Sequence, residues 1–175
     1  MKMSRIAIVG SGGSGKSTLA RRLGALLGIN VIHLDSLFWQ PGWVATETGA
    51  WRGIQEDLVK GDSWIIDGNY SDTMDVRLEA ADTVIFLDFP RSVCLWRAVR
   101  RWFQYTGRSR PDVGPGCPEK LDWEFIRWIW TFPAAKRPAL LAKIDRYAQG
   151  RWVVRLRTPA EVGRFLAEVE RGREV

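Results

Sequence analysis

Short apolar runs alternate along the chain with longer segments in which apolar residues recur every three or four positions. The apolar runs predict strands at residues 4–9, 30–34, 63–66, 83–87 and 151–156. The amphipathic segments predict helices at about 16–28, 47–60, 73–80, 90–105, 120–148 (interrupted at Pro133 and Pro138) and 159–171. Strands that alternate with helices are typical of a parallel sheet covered on both faces. The sequence therefore predicts an α/β fold with a five-stranded parallel sheet, in a single domain over residues 1–175.

Two segments have the composition of loops. Residues 36–46 combine three aromatic side chains with a Pro-Gly pair, which predicts an aromatic-rich loop. Residues 107–118 contain three glycines and three prolines, a composition that cannot continue a helix. We expect this second segment to form an exposed loop or lid.

A glycine-rich loop follows the first predicted strand. It matches the P-loop pattern G-x-x-x-x-G-K-[ST] and lies between an apolar strand and an amphipathic helix, as that motif requires. Its glycines let backbone N–H groups approach a phosphate, and the helix N-terminus adds positive potential. Lys16 is expected to reach the terminal phosphates and Ser17 to ligate Mg²⁺. The residues predicted to bind the nucleotide here are Gly10, Ser11, Gly12, Gly13, Ser14, Gly15, Lys16, Ser17 and Thr18.

The chain is basic, with 26 lysines and arginines, 20 acidic residues and a formal net charge of +6. A basic chain has nucleic acid or a compact polyanion as candidate partners. Between Asp88 and Asp112, six arginines and two aspartates give a local net charge of +4 beside the predicted phosphate site. This localised excess favours ATP over DNA, while DNA binding stays open as an alternative.

Cysteine and histidine are scarce. Cys94, Cys117 and His33 are too few for a disulfide framework or a zinc site within one chain. No signal peptide is visible before the first strand, and the longest apolar runs are far below the ~18 residues of a membrane span. The sequence predicts a reduced, cytoplasmic protein without a membrane partner.

Beyond the P-loop, the sequence resembles the adenylate kinase-like P-loop kinases and, within them, the bacterial DNA topology modulation proteins. The resemblance rests on five segments that span nearly the whole chain: GSGGSGKST (10–18), HLDSLFWQPGW (33–43), WIIDGNY (64–70), FLDFPRSVCLWRAVRR (86–101) and GRSRPDVGPGCPE (107–119). It implies a P-loop NTPase fold of the nucleoside monophosphate kinase type, with a small lid at about 107–118. It also implies ATP and Mg²⁺ as cofactors.

Three aspartates follow predicted strands. The resemblance implies that Asp67, with Ser17, holds Mg²⁺ beside the P-loop, although an Asp-Gly pair also favours a plain turn. Asp35 could accept the proton of an acceptor hydroxyl or orient that hydroxyl, or it could cap a helix or turn. Asp88 is interpreted mainly as structural.

Arginines cluster after the fourth predicted strand. Arg97 and Arg101 are four residues apart and share a helix face, and the resemblance implies that they contact adenine and the transferring phosphates, respectively. Arg108 and Arg110 lie in the predicted lid, where arginines of such kinases close over the transferred group. A solvated surface arginine is the alternative for each. The predicted catalytic residues are Lys16, Asp35, Arg101, Arg108 and Arg110.

Two further groups of residues have both a functional and a structural interpretation. The resemblance implies that Thr158 and Pro159 cradle adenine, but the pair is also a normal helix start, with Thr as N-cap and Pro in the first turn. Four aromatic residues could stack a planar acceptor or pack as a hydrophobic flap: Phe38, Trp39, Trp43 and Tyr70.

The acceptor side departs from the adenylate kinase pattern. Adenylate kinases usually follow the Asp-Gly pair with Pro-Arg, whose arginine binds the acceptor phosphate; here Asn69 and Tyr70 follow, with no arginine until Arg77. The sequence predicts ATP- and Mg²⁺-dependent phosphoryl transfer to a small-molecule acceptor, such as a nucleoside, nucleotide or related metabolite, by a monomer or homodimer. The alternatives are an ATP-controlled DNA-binding regulator of topology without kinase turnover, and a protein that binds ATP structurally.

Overall fold

The computed structural model describes residues 3–108 and 110–172. In chain order its elements are β1 (Arg5–Gly10), α1 (Lys16–Leu27), β2 (Val31–His33), α2 (Leu34–Phe38), β3 (Trp39–Gln40), β4 (Val44–Ala45), α3 (Thr48–Leu58), β5 (Trp64–Asp67), α4 (Met74–Ala80), β6 (Thr83–Leu87), α5 (Arg91–Tyr105), α6 (Trp123–Ala135), α7 (Arg137–Tyr147), β7 (Trp152–Leu156) and α8 (Pro159–Arg171). A single 3₁₀ turn (Ser71–Thr73) precedes α4.

Five strands form one parallel sheet in the order β2-β5-β1-β6-β7, which confirms the predicted fold class. The central strand β1 pairs with β5 on one side and β6 on the other. All five carboxyl ends meet at one edge of this sheet, where α/β proteins bind their ligands.

Helices cover both faces of the sheet. Successive side chains of a strand point to opposite faces, so Ile6 and Ile8 of β1 join one core cluster while Ala7 and Val9 join the other. Both clusters are buried, which explains why the strands are continuous apolar runs rather than alternating ones.

The segment after β2 differs from its prediction. Residues 36–46 are not a plain loop, because they contain most of α2 and the two-stranded hairpin β3–β4. Asp35 does not end a strand but lies in the first turn of α2, where the helix dipole favours an acidic side chain. The Ser36 hydroxyl donates to the His33 carbonyl at 2.7 Å and so supports this turn.

Pro133 does not interrupt its helix, contrary to the prediction. It lies inside α6, which continues to Ala135. A proline near the C-terminal end removes one backbone hydrogen bond, while Ile129 and Phe132 remain buried against the core. The break comes after Ala135, and Pro138 lies in the first turn of α7, a favoured position for proline.

The predicted lid, residues 107–118, contains no helix in its described part, and residue 109 lies outside the described residues. An isolated bridge between Thr106 and Glu119 closes its base. Over 3–108 and 110–172, no helix combines the length and the apolar character that crossing a membrane requires.

Candidate active site

An open cleft of 1190 Å³ lies at the carboxyl edge of the sheet. The P-loop, α5, the hairpin β3–β4, the residues after β5 and the predicted lid all contribute to its lining. The segments that the sequence analysis selected therefore converge on one cavity.

The P-loop presents unoccupied hydrogen-bond donors to this cleft. Helix α1 begins after Gly15, which adopts a left-handed conformation (φ 96°) and provides no side-chain cap. The first N–H groups of the helix therefore lack the usual side-chain acceptor. The Ser14 hydroxyl is buried and has no hydrogen-bond partner among the described residues. Such an uncapped helix start is suited to an anion.

Close backbone packing explains two of the loop glycines. A Cβ at Gly13 (φ 73°) would lie 2.1 Å from the carbonyl oxygen of Cys94 in α5, and one at Gly10 would lie 2.5 Å from the carbonyl oxygen of Leu87. Neither position has room for a side chain, so the loop packs directly against α5 and the end of β6.

Lys16 folds back over the loop. Its Nζ donates to the carbonyl oxygens of Gly10 and Ser11, each at 3.0 Å. Burial lowers the pKa of Lys16 below its ordinary value, although the negative charges of Asp35 and Asp67 oppose this effect. The side chain thus lines the cleft, within electrostatic range of both carboxylates.

Ser17 and Asp67, the two residues predicted to hold Mg²⁺, are in direct contact. The Ser17 hydroxyl donates to Asp67 Oδ2 at 2.8 Å, and adjacent hydroxyl and carboxylate oxygens suit a hard cation such as Mg²⁺. In the described ranges, no group of three or more His, Cys, Asp or Glu side chains could hold a metal by itself. These two residues therefore fit a Mg²⁺ that also takes ligands from nucleotide phosphates.

His33 is a site residue that the sequence analysis missed. Its Nδ1 lies 2.5 Å from Asp67 Oδ1 and fixes that carboxylate from the side opposite Ser17. Burial alone would lower the pKa of His33, but the hydrogen bond and charge of Asp67 outweigh burial and raise it. The feature that identifies His33 is the register of the parallel strands β2 and β5, which places His33 beside Asp67.

Asn69 ties the end of β5 to the start of the P-loop. Its Nδ2 donates to the Gly10 carbonyl at 2.7 Å, and its Oδ1 accepts from the Gly10 N–H at 3.0 Å. Behind it, the buried Arg77 donates to the Asn69 carbonyl at 2.6 Å and to Gln55 Oε1 at 2.8 Å. Burial lowers the pKa of Arg77 to about 10. The sequence analysis did not identify this clamp.

Arg97 contacts the P-loop directly. Its Nη1 donates to the Ser14 carbonyl at 3.0 Å, and its guanidinium lies 4.8 Å from the centre of the Phe89 ring. Arg97, Phe89 and Pro159 all line the cleft. This position is compatible with the predicted contact to a base.

Glu119 joins Arg101 and Arg110, two further arginines of the cleft lining. Its Oε1 accepts from Arg101 Nε at 2.8 Å, its Oε2 lies 2.5 Å from Arg110 Nε, and its side chain is only 2% exposed. Arg110 also donates to Asp112 Oδ2 at 2.8 Å. Burial, together with the charge of Arg110, lowers the pKa of Arg101. The sequence analysis identified Arg101 and Arg110 but neither of their acidic partners.

Arg108, also predicted as a catalytic residue, does not join this group. Its side chain is exposed, and the residue is not part of the cleft lining. Its main chain is used in the turn after α5, where its N–H donates to the Tyr105 carbonyl and its carbonyl accepts from Glu119.

Asp35 faces the acceptor side of the cleft. Its Oδ1 accepts from the Tyr70 hydroxyl at 2.7 Å, and burial and the Asp35 charge raise the pKa of Tyr70. Some of the aromatic residues predicted either to stack an acceptor or to pack as a hydrophobic flap line the cleft, and one does not. Phe38 packs against Tyr70 with ring centres 4.6 Å apart and does not line the cleft, whereas Trp39, Trp43 and Tyr70 do.

The predicted lid packs on the hairpin β3–β4. The Gly42 N–H donates to the Gly116 carbonyl at 2.9 Å, and Trp43 Nε1 donates to the Pro118 carbonyl at 3.1 Å. The buried Cys117 thiol lies 3.1 Å from the Gln40 carbonyl. These contacts join the lid to the acceptor side.

The other predicted residues have clear positions. Thr158 is the N-cap of α8, where its hydroxyl accepts from the Glu161 N–H at 3.2 Å, and it does not line the cleft. Thr18 does line it, whereas Gly10 and Ser11 lie outside the lining and serve as acceptors for Lys16. Asp88 accepts from Arg137 and Arg155, which agrees with its structural interpretation.

No family model and no curated protein matches this chain. Among solved structures, it is similar to the shikimate kinase from Bacteroides thetaiotaomicron, with 19% identity, a TM-score of 0.52, and coverage of 99% of this chain and 100% of that chain. It is also similar to the shikimate kinase from Acinetobacter baumannii in complex with shikimate, with 15% identity, a TM-score of 0.56, and coverage of 98% and 96%. At such identities the likeness shows the fold alone, which this chain shares with the two shikimate kinases. Neither similarity supports the expected resemblance to DNA topology modulation proteins.

Proposed function

We propose that the protein transfers the γ-phosphoryl group of ATP to a small hydroxyl-bearing acceptor in a Mg²⁺-dependent reaction. The observation that carries this proposal is the convergence of Lys16, the Ser17–Asp67 pair and three arginines on one cleft. Phosphoryl transfer needs little beyond positioning and charge stabilisation, and these side chains supply both. The fold shared with shikimate kinases supports the same reaction class.

The protein residues have distinct roles in this proposal. The uncapped start of α1 and Lys16 bind the phosphates, with Lys16 exchanging its loop carbonyls for phosphate oxygens. Ser17 and Asp67 hold Mg²⁺, which neutralises developing charge when it is bound. Arg101 and Arg110, held by Glu119, stabilise the charge of the transferred group.

Asp35 acts on the acceptor. Asp35 follows β2 at one edge of the sheet, whereas Pro159 follows β7 at the other edge. Tyr70 fixes one of the Asp35 oxygens. The Asp35 carboxylate orients the acceptor hydroxyl and receives its proton as the oxygen attacks the γ-phosphorus.

The test measures Mg²⁺·ATP binding by calorimetry and acceptor-dependent ADP formation by the full chain. We expect Lys16→Ala to weaken ATP binding at least tenfold, because it removes the buried cation of the P-loop. Lys60→Ala is the matched control, since Lys60 is exposed and paired with Asp57 outside the cleft. Unchanged ATP affinity in Lys16→Ala would contradict the proposal.

A second candidate is a DNA-binding regulator that ATP controls. It rests on exposed aromatic residues beside arginines on α5 and α6: Trp96 and Trp130 are 59% and 47% exposed and lie under Arg100 and Arg91, respectively. Aromatic and arginine side chains together can stack single-stranded bases. A DNA affinity that falls steeply with salt concentration and is weakened by Trp96→Ala would favour this function over the kinase.

A further inference from the structure

This inference rests on the proposed function and concerns the chemical class of the acceptor. Residues 31–80 supply the acceptor side of the cleft and include no lysine or arginine in its lining. Their contribution comprises two carboxylates, one amide, one phenol, two indoles and a glycine: Asp35, Asp67, Asn69, Tyr70, Trp39, Trp43 and Gly68.

The cationic residues of the cleft belong to other segments of the chain. Lys16 and Arg97 contact the P-loop, and Arg101 and Arg110 are paired with Glu119. The remaining lining cations are on α1, on α5 or at the mouth of the cleft. Of these, Arg21 and Lys120 are about half exposed, and each faces an aspartate at 3.9 and 3.6 Å, respectively. Neither is a buried donor aimed at an acceptor anion.

Arg77 is the buried cation of this half of the molecule, but both of its Nη atoms already donate to protein acceptors. It is 1% exposed, does not line the cleft, and donates to Gln55 Oε1 and to the carbonyl of Asn69. Binding an anion would require Arg77 to release the backbone that holds the Asn69 clamp on Gly10.

Asp35 favours a hydroxyl group over an anion. Its Oδ1 accepts from Tyr70, and its Oδ2 receives no hydrogen bond from any residue in 3–108 or 110–172. A carboxylate oxygen without a donor attracts a hydroxyl group and repels phosphate or carboxylate. Trp39 and Trp43, with ring centres 5.5 Å apart, add an apolar aromatic surface beside it.

We propose that the acceptor is an uncharged hydroxyl compound with a planar ring, of which a nucleoside is the simplest example, rather than a phosphate or a carboxylate. The hydroxyl oxygen forms a bond to the γ-phosphorus of ATP while the bond from that phosphorus to the β–γ bridging oxygen breaks. ADP leaves, and the hydroxyl proton passes to Asp35 Oδ2 and then to solvent. The indoles of Trp39 and Trp43 and the Oδ2 oxygen of Asp35 recognise the acceptor. The negative charge of Asp35 excludes anionic analogues of that acceptor.

The first experiment compares matched acceptors with the full chain and Mg²⁺·ATP. Adenosine, guanosine and cytidine are each paired with their 5′-monophosphates, and shikimate is included as a carboxylate. ADP formation is followed by a coupled assay and the product is identified by mass spectrometry. We expect kcat/KM for at least one nucleoside to exceed that of its monophosphate and of shikimate at least tenfold. Equal or greater activity with an anionic acceptor, or no activity with any nucleoside while ATP binds, would overturn the inference. Failure to bind ATP would overturn the proposed function itself.

The second experiment tests the charge exclusion by binding. We expect Asp35→Asn to bind AMP at least fivefold more tightly than the wild type in the presence of Mg²⁺·ADP, read by tryptophan fluorescence, while transfer to the best nucleoside falls at least 100-fold. Asp62→Asn, at an exposed position outside the cleft, is the control and should change neither. An unchanged AMP affinity in Asp35→Asn would show that this carboxylate does not exclude anions.

Discussion

At the scale of single residues, the P-loop depends on glycines that lie against neighbouring backbone. Gly13 is the strongest case, because its φ of 73° disfavours a side chain and the carbonyl oxygen of Cys94 occupies the space where a Cβ would be. The loop therefore keeps its shape only if nothing projects from this position toward α5.

We expect Gly13→Ala to be strongly destabilising. The left-handed conformation costs an alanine about 1–2 kcal/mol, and overpacking against α5 adds about 1–3 kcal/mol. Gly150→Ala is the matched control, because Gly150 has nearly the same φ (71°) but no atom within 4 Å of its Cβ position. Urea unfolding measures the free energy of unfolding of both variants: Gly150→Ala shows the cost of the left-handed conformation alone, and the excess in Gly13→Ala is the packing cost. ATP titration of Gly13→Ala measures the effect on nucleotide binding by the loop. Equal destabilisation of the two variants would contradict the packing argument.

Sequence motifs predicted some site residues and missed others for a physical reason. Lys16 and Ser17 belong to the P-loop motif, in which spacing alone indicates the chemistry, whereas the role of Asp67 was implied by the resemblance to adenylate kinase-like kinases. His33 and Asn69 act through contacts with residues 34 and 59 positions away, so their roles depend on which strands are neighbours. The role of Glu119 likewise depends on the fold, because its contact with Arg101 forms only where the end of the predicted lid packs against α5.

At the scale of elements, the predicted lid is docked on the hairpin β3–β4. Gly116 packs so closely that a Cβ there would lie 2.9 Å from the Pro41 Cβ. The neighbouring Cys117 is buried, with 1% exposure, by the same contact. The reactivity of this thiol therefore reports on lid docking.

We expect Gly116→Ala to loosen the docked lid and raise the rate of Cys117 alkylation at least tenfold. Gly107→Ala is the control, because it lies in the same segment with a similar φ (73° against 77°) and meets no atom within 4 Å. Alkylation at Cys117 is followed by mass spectrometry, which separates it from the core residue Cys94. Similar rates in the two variants would show that the contact with Pro41 does not hold the lid.

The elements themselves were predictable to different degrees. Strands β1 and β6 and helices α1 and α8 have long, uniform patterns, and their predicted bounds agree with the structure to within one residue. Helix α2 has five residues and the strands of the hairpin have two each, which is too short for periodicity to be visible. These short elements are formed by packing of Phe38 against Trp51 and Tyr70, which a local pattern does not contain.

At the scale of the whole molecule, Asp88 connects three elements far from the lid. It follows β6 and accepts from Arg155 of β7 at 2.8 Å and from Arg137 of α7 at 2.8 Å. Burial alone would raise the pKa of Asp88, but these two arginines outweigh it and hold the pKa below its ordinary value. The folded protein therefore binds this proton less readily than the unfolded chain.

The consequence is a loss of stability in acid. A depressed carboxylate pKa contributes stability that is complete above the unfolded value of about 3.9 and is lost as pH falls through the folded value. We expect Asp88→Asn to lower the free energy of unfolding by about 2 kcal/mol at pH 7 and to make its decline below pH ~4 shallower than in the wild type. Asp57→Asn is the control, since its pair with Lys60 is 74% exposed on both sides and is expected to change stability by less than about 1 kcal/mol. Urea unfolding at several pH values measures the free energy of unfolding at pH 7 and its decline in acid. If stability fell with pH below ~4 as steeply in Asp88→Asn as in the wild type, the ion pairs of Asp88 would not link the sheet to α7 energetically.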